Sequence, residues 1–272
     1  MRRAVGILLL TGLLLLLVGP LPALAGGFQS TSTPASSAAL RADFNGDGSA
    51  DLAIGAPGEN NEAGVVNVLY GSAGGLTATG SQLWSQDSPG IVGTAEPGDD
   101  FGFALAAGDF NGDGTADLAI GVPQENVSAG VVQVLYGSAA RLTATGSQLW
   151  SQDSPGIAGA AERGDLFGLA LAGADFNGDG RADLAIGAEG ENNASGVVHV
   201  LYGSAGGLTA SGSQLWSQDS PGIAGTAEAR DFFGAALAAG PLSTPSGAGT
   251  GTANPAATSP AQRSRTAAEQ RP

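Results

Sequence analysis

One segment of this chain recurs three times at a fixed interval, and that recurrence limits its possible folds more than any other feature. Gly64–Gly93, Gly130–Gly159 and Gly196–Gly225 are nearly identical, and the landmarks Tyr70, Tyr136, Tyr202 and Trp84, Trp150, Trp216 keep a spacing of 66 residues. Such near-identity makes one unit a structural module. The units run 35–100, 101–166 and 167–232, with a partial fourth at 233–240. The first lacks the Phe-Gly that opens the others.

Within a unit the pattern is strand, loop, strand, turn, strand, loop, strand. Phe101–Gly108 is small and apolar, and a polar loop follows from Asp109 to Asp117. Leu118–Val122 is an unbroken apolar run, as in a strand buried on both faces. After a turn around Pro123–Gly130, Val131–Tyr136 carries β-branched residues, and Gln148–Trp150 belongs to a fourth, outer strand. Four short antiparallel strands per unit, repeated radially, predict an all-β fold of β-propeller blades. A parallel β-solenoid is the alternative, although its coils usually have shorter periods. Gly and Pro, at 46 and 14 residues, suit many short strands joined by tight turns.

The ends read differently. Arg2 and Arg3 precede an apolar run from Ala4 to Val18, then Gly19, Pro20 and the small-residue site Ala23-Leu24-Ala25. This predicts a signal peptide over 1–25. A retained anchor is the rival, but the run falls short of the roughly 20 residues a membrane span needs. The mature chain is then expected to be extracellular or periplasmic, with no membrane insertion. Residues 26–34 and the Ser/Thr/Pro/Ala/Gly-rich tail at 241–272 are expected to be disordered. The tail reads equally as a genuine tail or as the mark of a truncated frame.

Three loops share the pattern D-x-N-x-D-G-x-x-D: Asp43 to Asp51, Asp109 to Asp117, and Asp175 to Asp183. Alternate positions put Asp43, Asn45 and Asp47 on one side of a curling backbone. Asp109, Asn111 and Asp113 follow suit, as do Asp175, Asn177 and Asp179. Gly at position 6 permits the sharp turn. A main-chain carbonyl at position 7 (Ser49, Thr115, Arg181) can then point inward. Position 9 returns a carboxylate from Asp51, Asp117 or Asp183. Hard oxygens of this kind suit Ca2+, about three ions in all, better than Mg2+ with its stricter octahedron. Zn2+ is disfavoured because there is no Cys and only one His. An EF-hand would need Glu at position 12, where Ile54, Ile120 and Ile186 stand. A lone copy could be a plain Asp/Asn/Gly turn, but three copies in register point to a site.

Phe101-Gly102, then Asp109-Phe-Asn-Gly-Asp-Gly, then Gly121-Val122-Pro123 together resemble the FG-GAP repeat of the integrin α-subunit N-terminal propeller. Gly55-Ala56-Pro57 supplies the literal GAP. The resemblance covers roughly 35–240 and implies calcium in a hairpin loop of each blade. It also implies a non-catalytic, adhesive role toward a protein or carbohydrate ligand at the cell surface. Gly187-Ala188-Glu189 departs by lacking the Pro. About three blades stand where the family closes seven, leaving self-association, a truncated fragment or an open one. FG-GAP-like repeats also accompany phospholipase-type enzymes, so an accessory module of a secreted hydrolase is the second reading.

The formal net charge is −15, with 25 acidic residues, 10 Arg and no Lys, which argues against a nucleic-acid partner. Without Cys there is no disulfide framework or thiolate nucleophile. His199 replaces Asn67 and Gln133 at one strand position and is expected to face solvent, outside any catalytic triad. The recurring acids are accounted for by calcium, which argues against carboxylate hydrolysis. Asp99, Asp165 and Asp231 read as loop caps, and Arg163-Gly164-Asp165 as spacer drift. Trp84, Trp150 and Trp216 read as blade packing ahead of sugar stacking.

Overall fold

A computed structural model describes residues 42–240 of the chain. The signal peptide expected at 1–25, the 26–34 segment, the start of the first unit and the 241–272 tail lie outside the described residues. Strand and turn residues alternate as the 66-residue unit predicts. Blade 1 holds β1 (Leu52–Ala56), β2 (Val65–Tyr70) and β3 (Thr77–Trp84). Blade 2 holds β4 (Leu105–Gly108), β5 (Asp117–Val122), β6 (Val131–Tyr136) and β7 (Thr143–Trp150), and blade 3 holds β8 (Ala170–Ala174), β9 (Asp183–Ala188), β10 (Val197–Ser204) and β11 (Gly207–Trp216).

Each blade is an antiparallel meander in chain order, β4-β5-β6-β7 in blade 2 and β8-β9-β10-β11 in blade 3. Among the described residues, blade 1 shows three strands, β1-β2-β3. Registers repeat between blades: Ile120 pairs Gln133 as Ile54 pairs Asn67 and Ile186 pairs His199. An irregularity recurs between Val68/Tyr70, Val134/Tyr136 and Val200/Tyr202. Propeller blades are therefore the right reading of the repeat.

The turn before each third strand differs from expectation. It is a single helical turn, at Glu59–Glu62, Glu125–Ser128 and Glu191–Ala194, whose inner residues are left-handed: Asn60 and Asn61, Asn126 and Val127, Asn192 and Asn193. Asn tolerates that region, whereas a β-branched Val127 at φ 63° is strained. The turn is held because its carbonyls receive the strap to the next blade. Gly98 N–H donates to Asn61 O, Asp100 N–H to Glu62 O and Phe101 N–H to Ala63 O.

The core lies between blades rather than within one. Val66, Val68 and Tyr70 of blade 1 meet Leu118, Ile120 and Val131 of blade 2. Val132, Val134 and Tyr136 of blade 2 meet Leu184, Ile186 and Val197 of blade 3. Burial of this apolar surface is the main force joining blades. The two signature glycines sit where blades touch. A Cβ on Gly121 would lie 2.0 Å from Gly168 O, and one on Gly55 would lie 2.0 Å from Gly102 O. Only a residue without a side chain allows this approach.

This packing corrects the expectation for His199. Its side chain is 2 % exposed and edge-on to Phe167, with ring centroids 5.3 Å apart. The outward face of β10 is covered by the preceding blade, as Gln133 is on β6; Asn67 is exposed because no described residue covers blade 1 on that side.

Candidate metal loops

In blades 2 and 3 the acidic loop joins the first and second strands, β4 to β5 and β8 to β9, and in blade 1 it leads directly into β1. Glycines at positions 4 and 6 are left-handed in all three: Gly46 and Gly48, Gly112 and Gly114, Gly178 and Gly180. That backbone curls the loop around the carboxylate at position 1. Asp43 Oδ1 accepts from Asp47 N–H at 3.1 Å and Oδ2 from Gly48 N–H at 2.8 Å. Asn45 Oδ1 accepts from the same Asp47 N–H at 3.0 Å, and Asp47 Oδ1 accepts from Ser49 N–H at 2.7 Å. Asp109, Asn111, Asp113 and Thr115 repeat this ring, as do Asp175, Asn177, Asp179 and Arg181. Positions 1 and 3 therefore share one amide, and position 5 is drawn to them by the position-3 side chain, Asn45 Nδ2 donating to Asp47 Oδ2 at 3.1 Å. Asp47 is held below the usual carboxylate range by the Ser49 amide and then the Asn45 side chain.

The ninth-position carboxylate lies beneath this cup. Asp117 is fully buried, and its oxygens accept from Phe110 N–H at 2.8 Å and Gly137 N–H at 2.9 Å. Asp51 takes Phe44 and Gly71 N–H, and Asp183 takes Phe176, Asn177 and Gly203 N–H. It thus ties the loop to the end of the third strand. Burial pushes all three upward, Asp117 to about 7, against the pull of those amides.

Among the described residues, no three Asp, Glu, His or Cys side chains form a ready metal cluster. The donor chemistry nonetheless fits a hard cation: positions 1 and 5 offer carboxylate oxygens and position 3 an amide oxygen, its Nδ2 being turned onto the position-5 carboxylate, and each anchored carboxylate oxygen keeps a second lone pair.

Two features of the loops escaped sequence reasoning. Position 2 is an anchor: Phe44 and Phe110 are fully buried in the joint with the next blade. The loop backbone also bonds that blade, with Ala116 N–H donating to Asp43 O at 2.9 Å and Ser138 N–H to Phe44 O at 3.3 Å. Ala182 and Ser204 do the same to Asp109 O and Phe110 O. The invariance of Phe at position 2 across the three copies was the available signal. The secondary signals resolve as structure: Asp99, Asp165 and Asp231 accept from the amides of Glu96, Glu162 and Glu228. Asp165, the acid of the Arg-Gly-Asp tripeptide, is thereby buried. Trp84 and Trp150 pack against the inter-blade clusters.

Residues 35–69, 101–135 and 167–201 match the FG-GAP repeat family. The chain carries three FG-GAP repeats. The glycines of that signature are the ones in backbone contact between blades. A 171-residue stretch is 36 % identical to human phosphatidylinositol-glycan-specific phospholipase D, covering 59 % of this chain and 20 % of that protein. Integrin alpha-PS2 of Drosophila melanogaster is 35 % identical over 185 residues, which is 64 % of this chain and 12 % of the integrin. Human integrin alpha-X is 35 % identical over 156 residues, covering 55 % and 12 %. The FG-GAP chain spans about a fifth or less of these relatives' length, and its likeness to the phospholipase falls on the repeats. No helix among the described residues is long and apolar enough to cross a membrane.

Proposed function

We propose that this chain is a secreted FG-GAP binding module, without catalysis of its own, whose three loops each hold one Ca2+. The observation that carries the reading is the oxygen cup repeated in three loops, whose backbone in loops 1 and 2 also bonds the next blade. Asp43, Asn45, Asp47 and the Ser49 carbonyl would hold the first ion, with Asp51 beneath, and the two other loops would use the matching residues. The ion supplies positive charge that offsets the clustered carboxylates. The loop's own task is to carry that rigidity into the joint through Asp43 O and Phe44 O. Extracellular sites of this type bind at about 10⁻⁴–10⁻³ M, which suits filling outside cells.

The binding role is adhesive, toward a protein or carbohydrate at the cell surface, and rests on the likeness to integrin α chains. Calorimetric titration of the full chain with CaCl2 tests the metal reading: about three ions support it, and no heat from a folded chain refutes it. A second reading, an accessory module acting beside a hydrolase, is favoured by the phospholipase likeness. Measured phosphodiester hydrolysis by the chain alone would overturn the non-catalytic part of both.

A further inference from the structure

Each joint between consecutive blades is made from the same parts. An aromatic from the earlier blade's loop, Phe44 or Phe110, is fully buried in it. A glutamine on the outer strand clamps a leucine backbone of the later blade: Gln82 Nε2 donates to Leu142 O at 3.0 Å, and Gln148 Nε2 to Leu208 O at 3.0 Å. Tyrosine completes the clamp, Tyr70 receiving Leu142 N–H and Tyr136 donating to Gln148. Gln86 and Gln152 reach across to Glu125 and Glu191. Ser147 and Ser213 hydroxyls donate back to Gly90 O and Gly156 O.

Among the described residues, both halves of this joint also stand open at the two ends of the three-blade row. On blade 3, Phe176 is 46 % exposed where its two counterparts are wholly covered. Gln214 and Tyr202 stand at the clamp positions, where Gln214 Oε1 accepts from Trp216 Nε1 at 3.0 Å and no leucine backbone is held among the described residues. Phe176, Ala185, Val200, Tyr202 and Trp216 line a recess of about 380 Å³. Phe233 and Leu237 lie on this face as Phe101 and Leu105 lie on the first joint. On blade 1, Leu52 and Ile54 are 43 % and 40 % exposed, whereas Leu118, Ile120, Leu184 and Ile186 are at most 1 %. Leu76, in the place of the clamped leucines, is 50 % exposed, and Glu59, in the place of Glu125, is exposed as well.

We propose that the open face of blade 3 receives blade 1 of a second copy of this chain, through the joint that the chain already builds twice within itself. Leu52 and Ile54 of the second copy fill the recess and cover Phe176. Gln214 and Tyr202 take its Leu76 backbone, and the Gln218 amide meets its Glu59. Complementarity needs no new chemistry, because near-identical residues already fit one another at the two internal joints. The contact is heterologous, so copies add head to tail until a ring closes or a row continues. The net charge of −15 opposes association, so added salt strengthens it.

The test is analytical ultracentrifugation of the full chain over a wide concentration range, with two variants, Ile54→Asp on blade 1 and Phe176→Asp on blade 3. Both positions are exposed, and an unchanged circular dichroism spectrum verifies folding; Leu76→Asp, on blade 1, stands in for Ile54→Asp if that variant unfolds. Wild type sediments as oligomers that grow with concentration. Each variant alone sediments as a monomer, and an equal mixture forms a dimer, since each supplies the face the other lacks. Three results would overturn the proposal: a monomeric wild type at every concentration, oligomers that persist in the single variants, or a mixture that stays monomeric.

Discussion

At the scale of single residues, buried polar groups decide how each loop is held. Asp117 satisfies two amides from fully buried surroundings, so Asp117→Ala leaves both without a partner. Each orphaned amide costs about 1–3 kcal/mol, and urea denaturation should show a loss of that order or larger. His199 has the opposite sensitivity. Burial pulls its pKa down to about 4, while the unfolded chain titrates near 6.5. Between those values the unfolded state binds a proton that the folded state refuses, so stability falls as pH drops from about 6.5 toward 4. His199→Gln, which copies Gln133, should remove that slope; the two melting curves would diverge progressively on acidification, and parallel curves would contradict the burial. Sequence reasoning missed this histidine because polar residues alternating with Val suggest a wet strand face. The cover comes from the preceding blade, some 66 residues away in sequence, and no local pattern announces it.

At the scale of elements, strands and acidic loops were readable because each follows a local rule: apolar runs for β5 and β9, alternate oxygens and glycines for the loops. The left-handed turns were not readable, since Val127 contradicts the preference that Asn126 obeys. Their cause is the strap of the following blade. The Tyr-Gln-Leu clamps left a trace, recurring at fixed spacing, but recurrence alone does not say which residues touch. Close contact between Gly121 and Gly168 gives a sharper test. Gly121→Ala forces the blades apart, with a stability loss of about 3 kcal/mol or more expected in chemical denaturation. By contrast, Gly58→Ala meets nothing within 4 Å and should leave stability nearly unchanged. Similar losses at both positions would show that the joints are not packed as described.

At the scale of the whole molecule, the loops and the joints are one system. Loops 1 and 2 bond a following blade, whereas loop 3 has no such partner among the described residues. Calcium bound at loops 1 and 2 should therefore stabilise more than calcium at loop 3. Asp113→Ala is expected to lower the calcium-loaded melting temperature more than Asp179→Ala does. The most direct check of the account is thermal melting of the full chain with saturating CaCl2 and with chelator, alongside calorimetric stoichiometry. About three ions per chain and a melting temperature several degrees higher with calcium are predicted, since a ligand bound only to the folded state must stabilise it. A chain that is folded in chelator, binds no calcium and melts at the same temperature in both would contradict the account.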